Sequence, residues 1–273
     1  EDYMLLLDGK ENTAKYRLSL YDLFIHNALY FYKSEVPYGY RNNDIYKISE
    51  EDFSASSIFI KRRLPIGKEA VIAKTNTLEL YKKLEASHRN KKEALVDVVL
   101  QRLNYALSNS QKNDSNEWYE KALQTLATRY KNDPIAALIQ YELASHYVNT
   151  SQKYYTRSQD NRQMLRVNAL AIAEKVIEKY PNSEGSIKCQ ILKKKIKQRS
   201  LEFKIQEYTT ANKPMLSRVS LRNIDTVYLK TYQISHTFLE GVKYNKRDSV
   251  IAAYIKGNKP VLEKNYDTKI PKD

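Results

Sequence analysis

A chain that carries out chemistry needs nucleophiles, acid–base groups or metal ligands at short, recurring spacings. The four histidines, the single cysteine and the paired carboxylates are therefore read first. His26, His88, His146 and His236 never fall two to a helical turn, and none stands in an HExxH-type spacing, so they predict no metal centre. His26 lies in a strongly apolar helical run and reads as a core or boundary histidine. His146 stands beside Tyr141, Glu142 and Tyr147, and His236 follows the strongest strand, in a loop. Cys189, next to Lys188, would need exposure and a positioned base to act as a nucleophile. It reads instead as a buried small hydrophobe, and one cysteine closes no intramolecular disulfide and builds no cysteine cluster. No Gly-x-Ser-x-Gly motif presents a serine. Glu50–Glu51 and Glu117/Glu120 read as helix-cap or solvated carboxylates. Glu174 and Glu178 share a face, but Lys175 and Lys179 repeat the spacing, as ordinary helix surface charge does. No catalytic, cofactor-binding or metal-binding residue is assigned, no cofactor is called for, and the chain is read as not an enzyme.

The 23 tyrosines are the other conspicuous chemical resource. A tyrosine fills a core while its hydroxyl reaches a polar edge. Tyr141, Tyr147, Tyr154 and Tyr155 read either as helix-packing side chains or as the lining of an interaction groove. The net charge of +14 points to an anionic partner or to solvated helix faces. Its basic runs, Lys61-Arg62-Arg63, Lys91-Lys92 and Lys193-Lys194-Lys195, are scattered and come without an RNA- or DNA-binding motif, so no nucleic-acid partner is assigned.

These side chains are positioned by a chain that is 42% hydrophobic but has only 6 glycines and 7 prolines. That composition suits packed helices and disfavours glycine-rich phosphate loops. Helical spacing predicts helices over 14–33, where Leu20, Leu23, Phe24, Ala28, Phe31 and Tyr32 form a stripe, then over 69–87, 90–108, 115–130, 134–149, 161–180 and 183–202. Within 90–108 the stripe is Ala94, Leu95, Val98, Val99, Arg102, Leu103 and Ala106. Val36-Pro37-Tyr38-Gly39-Tyr40 reads as a turn-rich connection, and Ser54–Phe59 as a short helical turn. Pro134 suits a first helical turn. The segments 126–134 and 176–184 echo each other: a helix closes on Tyr130 or Tyr180, a polar turn follows, and a new helix begins. Asn182 or Ser183 is placed to cap the later one. After residue 203 the period changes. Val219 and Leu221 alternate with polar residues, Asn223-Ile224-Asp225 is a bend, and Val227–Ile234 is the clearest strand. Asp248–Lys256 reads as a short helix, and no later hydrophobic strand is strong. Two or three strands cannot cover both faces of a sheet, so the chain is read as a piece of something larger. No apolar run approaches the ~20 residues that span a bilayer, and Glu1 suggests a processed or engineered start.

The stretches "ALQTLATRYKNDPIAALIQYELASHYV" and "ALAIAEKVIEKYPNSEGS" resemble tetratricopeptide-type helical hairpins across roughly 115–200, although the echo falls every 50 residues, Tyr130 to Tyr180, against a family period of about 34. "IQEYTTANKPMLSRVSLRNIDTVYLKTYQIS", residues 205–235, resembles the opening of a macroglobulin-type β-sandwich. The matching features are the Asn212-Lys213-Pro214 turn, Arg222-Asn223-Ile224-Asp225 and the strand from Thr226 to Ile234. The order of parts is similar to the N-terminal region of the large alpha-2-macroglobulin-like proteins of Bacteroidetes. The resemblance implies a mostly α fold: an irregular, tetratricopeptide-like helical domain over 1–203, then a partial macroglobulin-type β domain over 204–273. It also implies a scaffold or interaction role in a protease-trapping protein, with the rest of the polypeptide and target proteases as protein partners, in the bacterial periplasm or outer-membrane-associated envelope. Such traps often carry a Cys-x-Glu-Gln thioester, and "SIKCQILKKK" around Cys189 does not match it. The alternative reading is a stand-alone helical-repeat module that binds a protein or peptide.

Overall fold

The computed structural model describes residues 15–34, 46–65, 69–151, 164–206, 208–210, 213–244 and 247–268. The expected turn at Val36–Tyr40, together with Tyr154, Tyr155 and Asn212, lies outside them. The fold is mostly α with a short β segment, and the chain divides into two compact units, Glu1–Lys194 and Lys195–Asp273.

The first unit is a succession of helices, α1 (Leu20–Ser34), α2 (Ser56–Phe59), α3 (Glu69–Ser87), α4 (Lys92–Asn109), α5 (Ser115–Arg129), α6 (Ala136–Ser151), α7 (Leu165–Lys179) and α8 (Glu184–Lys197), the last crossing the division. From α3 to α7 each helix packs on the next, and α1 lies on α3. A 3-10 turn, Glu50–Phe53, precedes α2 and packs against α4 and α5. The start of α1 is a capping box built with aspartate in place of glutamate. Asp22 Oδ2 accepts from the Leu18 and Ser19 backbone N–H groups at 2.8 and 2.9 Å, and the Asp22 N–H donates to Ser19 Oγ. The 3-10 turn repeats the device, with the Ser49 N–H donating to Asp52 Oδ2 at 2.9 Å. At the start of α8 it is Ser183 that caps, accepting from the Ser186 N–H.

The α1 stripe differs from the sequence reading. Ile25, Leu29 and the capping Asp22 face inward, while Leu20, Phe24 and Phe31 are exposed. Asp22 is held at the helix start and beside His88, in the turn after α3, which fits its inward facing. Pro134 lies in the turn just before α6 rather than within it. The two echoed turns meet: the Tyr180 hydroxyl and Lys179 Nζ both donate to the Lys131 carbonyl.

Helices α6, α7 and α8 converge on small side chains, Ala137, Ala173 and Cys189, with Val176 beside them, all buried. Gly185 sits so close to the Ala137 backbone that a Cβ would overlap its carbonyl carbon and oxygen. Here a glycine is required by approach, not by backbone angle.

In the second unit β1 (Ser200–Ile205) pairs antiparallel with β2 (Ser217–Arg222), and β3 (Thr226–Thr231) with β4 (Leu262–Asp267). Between β3 and β4 run α9 (His236–Tyr244) and α10 (Arg247–Gly257), held by the Phe238–Tyr254 ring contact at 4.4 Å and by Tyr254 donating to the Gln233 carbonyl. Two sequence expectations change. The last helix stops at Lys197 and its expected end becomes β1. His236 opens α9 instead of lying in a loop. A further strand, β4, exists despite its polar sequence "LEKNYD", because β3 offers it a complete ladder from Thr226↔Asp267 to Thr231↔Leu262. Asn223 turns the chain from β2 to β3 at φ 52°, a conformation asparagine tolerates. Its side-chain amide donates to the Ile196 and Gln198 carbonyls.

Gly185→Ala is expected to lower the unfolding free energy by about 2 kcal/mol or more, since the added methyl meets backbone that can yield only by separating α6 from α8. Thermal denaturation followed by circular dichroism measures this, and an unchanged midpoint would show that the seam can relax.

Candidate functional site

A mainly apolar groove of about 440 Å³ lies between α4, α5 and the segment carrying the 3-10 turn and α2. Leu95, Val96, Val99 and Leu103 form its floor from one face of α4. Trp118, Ala122 and Leu126 follow at helical spacing along α5. Phe53, Ser54 and Ile58 close the third side, Phe53 meeting Trp118 at 5.9 Å between ring centroids. Its rim is charged, with Glu50 and Glu51 at the 3-10 turn and Lys121 and Arg129 on α5, all exposed.

That third wall is held by a guanidinium. Arg102 of α4 is fully buried, as is Glu85 of α3. Arg102 Nε donates to Glu85 Oε1 at 2.6 Å, Nη2 donates to the Ser54 carbonyl at 2.9 Å, and Nη1 donates to the Asp52 carbonyl. The guanidinium carbon lies 4.1 Å from the Phe59 ring centroid. Asp52 in turn accepts from Arg62 and from the Tyr46 hydroxyl, at 2.8 Å to its nearer oxygen. Arg62 also pairs with Glu51 at 3.0 Å. The segment 46–65 is thus bound to the helices by a chain of charge-assisted bonds, the strong kind.

A second polar contact lies between α1 and the turn after α3: His88 Nε2 is 3.1 Å from Asp22 Oδ1, both buried, but the two atoms are not aligned for a hydrogen bond. Burial pushes the His88 imidazole below the ordinary histidine range, against the pull of Asp22. His26, one turn along α1, is pushed down to about 3 by burial and by the Arg17 charge, and its Nε2 has no hydrogen-bond partner among the described residues. Arg17 itself pairs with Asp97 of α4 at 2.9 Å.

The structure does not bring the four histidines together. His146 packs on Tyr119 at 4.9 Å, and His236 is exposed. Cys189 is buried, its thiol pushed up to about 12 by burial, far from nucleophilic reactivity at neutral pH. Glu120 accepts the Tyr147 hydroxyl at 2.6 Å, and Glu174 pairs with Lys193. Tyr147 is buried, and Tyr141 packs on the α6–α8 seam, so neither lines the groove. Among the described residues no three His, Cys, Asp or Glu side chains are placed to hold a metal ion, and no helix is long and apolar enough to cross a membrane. The chain matches no protein-family model, no curated protein and no solved structure. Sequence reasoning missed the groove and its Arg102 support. The available signals were a cation inside the apolar stripe of α4 and the two Ser-x-x-Asp boxes.

Arg102→Met is expected to cost about 3–5 kcal/mol by leaving Glu85 charged and alone. Glu85→Met/Arg102→Met together should recover most of that loss, and urea denaturation of the two variants decides. Protonation of His26 opposes folding. Its folded-state value lies below the unfolded one, so between about pH 6.5 and pH 3 the unfolded chain binds the extra proton and stability falls as pH falls. His26→Gln should flatten the pH dependence of the melting midpoint across that window, and identical slopes would refute the assignment.

Proposed function

We propose that the chain is a non-catalytic scaffold and interaction region of a large alpha-2-macroglobulin-like, protease-trapping protein of the bacterial envelope, its helical unit bracing or recruiting and its β segment beginning a macroglobulin-type domain. The observation that carries this reading is the open face of the β1–β2 ribbon. Cross-strand partners point to the same side, so Leu201, Phe203, Ile205, Val219 and Leu221 share one face. The first four remain 40–54 % exposed. A two-stranded ribbon is at most marginally stable alone, and an apolar face of this kind is what a second sheet of a sandwich covers. The Asn223 turn into β3 falls at the segment on which the macroglobulin resemblance rests. The helical pair α9–α10 between β3 and β4 is an addition to a plain sandwich.

A second reading, a helical-repeat module that binds a protein or peptide, is favoured by the apolar groove on α4 and α5.

The test uses the full gene product incubated with serine, cysteine and metallo-endopeptidases. A trap is expected to yield a protease that co-migrates with it on sizing, still cleaves a short chromogenic peptide, and no longer degrades a folded protein substrate. No shielded, active protease, together with a reading frame that adds no β-sandwich segments after Asp273, would sink the trapping proposal.

A further inference from the structure

We propose that the groove between α4, α5 and the 3-10 turn is a docking site for an acidic amphipathic helix, whose apolar stripe enters the groove and whose carboxylates meet Lys121 and Arg129. The apolar floor and the 440 Å³ volume suit a few aliphatic or aromatic side chains. The charge sets the choice of occupant. Lys121 and Arg129 stand eight residues apart on α5, about 12 Å along the helix axis. Both are exposed, and Arg129 also lies over the Tyr130 ring at 5.6 Å. A guest helix lying along α5 reaches both with carboxylates two turns apart. Across the groove Glu51 is already paired with Arg62, which leaves Glu50 as the other rim carboxylate opposite the two cations of α5. The chain's +14 charge draws an acidic partner toward it at long range. A fatty acid is the competing apolar anion, but its one headgroup answers only one of two cations spaced two turns apart.

The inference deepens the interaction reading of the helical unit and does not depend on the trapping role, so its failure leaves the protease assay untouched. Trp118, the only tryptophan of the chain, lines the groove, so its emission reports occupancy directly. The probes are two capped peptides of about 16 residues with one leucine stripe at i, i+3, i+4 and i+7, one flanked by glutamates and its twin by lysines, with laurate as a third ligand. The glutamate peptide is expected to shift Trp118 emission saturably and bind at least about tenfold tighter than its twin. Lys121→Glu/Arg129→Glu should reverse that order, with the fold kept and the thermal midpoint only slightly lowered, because both positions are exposed and the cost is confined to the end of α5. Ala122→Arg should fill the groove and abolish the shift. No saturable response to the glutamate peptide, equal affinity for the twins, a preference that survives charge reversal, or saturation by laurate alone would each overturn the proposal.

Discussion

A guanidinium removed entirely from water must have its donors met by the protein, and Arg102 organises the helical unit around that demand. Its donors are answered by Glu85 on α3 and by two backbone carbonyls of the 46–65 segment, and Phe59 covers its face. Three pieces distant in sequence are thereby fixed to one another. A buried ion pair is weak evidence for stability in itself, because desolvation offsets much of the attraction. What it supplies here is position. It holds an irregular segment, with little regular structure of its own, where that segment becomes the third wall of the groove. The two Ser-x-x-Asp boxes act in the same sense. Asp22 and Asp52 each satisfy backbone at the start of a helical turn and each reach a side chain beyond it, His88 and Arg62.

The second unit obeys a different constraint. Its ribbons have full backbone ladders but little burial, so hydrogen bonding defines their register while their apolar faces remain partly open. Ladder bonds alone contribute modestly against exchange with water. The asparagine at φ 52° and Thr268, which donates to the Asp225 carbonyl, add fixed points at the end of the β3–β4 ribbon where backbone would otherwise fray.

The helical hairpins were legible in the sequence because their periodicity is local: α4, α5 and α7 lie where 3.6-residue spacing places them, and the turn chemistry at Ser183 and Tyr180 marks their ends. The facing of α1 was not legible. Leu20, Phe24 and Phe31 look like a core stripe, yet the outcome turns on Asp22, whose partner His88 is more than sixty residues away. β4 was invisible for the same reason, since its polar alternation acquires meaning only beside β3. Of the groove, the α4 floor could be read as an apolar stripe, and Arg102 within it was visible as a break. The wall that Arg102 recruits is a contact made across about fifty residues, which no local pattern encodes.

Gly185 and Cys189 lie one helical turn apart on the same tightly closed seam. A thiol held there exchanges with solvent only when α8 lifts from α6, so its modification by an alkylating reagent is a clock set by that opening. As the single cysteine of the chain, it gives the helical unit an intrinsic gauge of its local breathing, one that needs no engineered label.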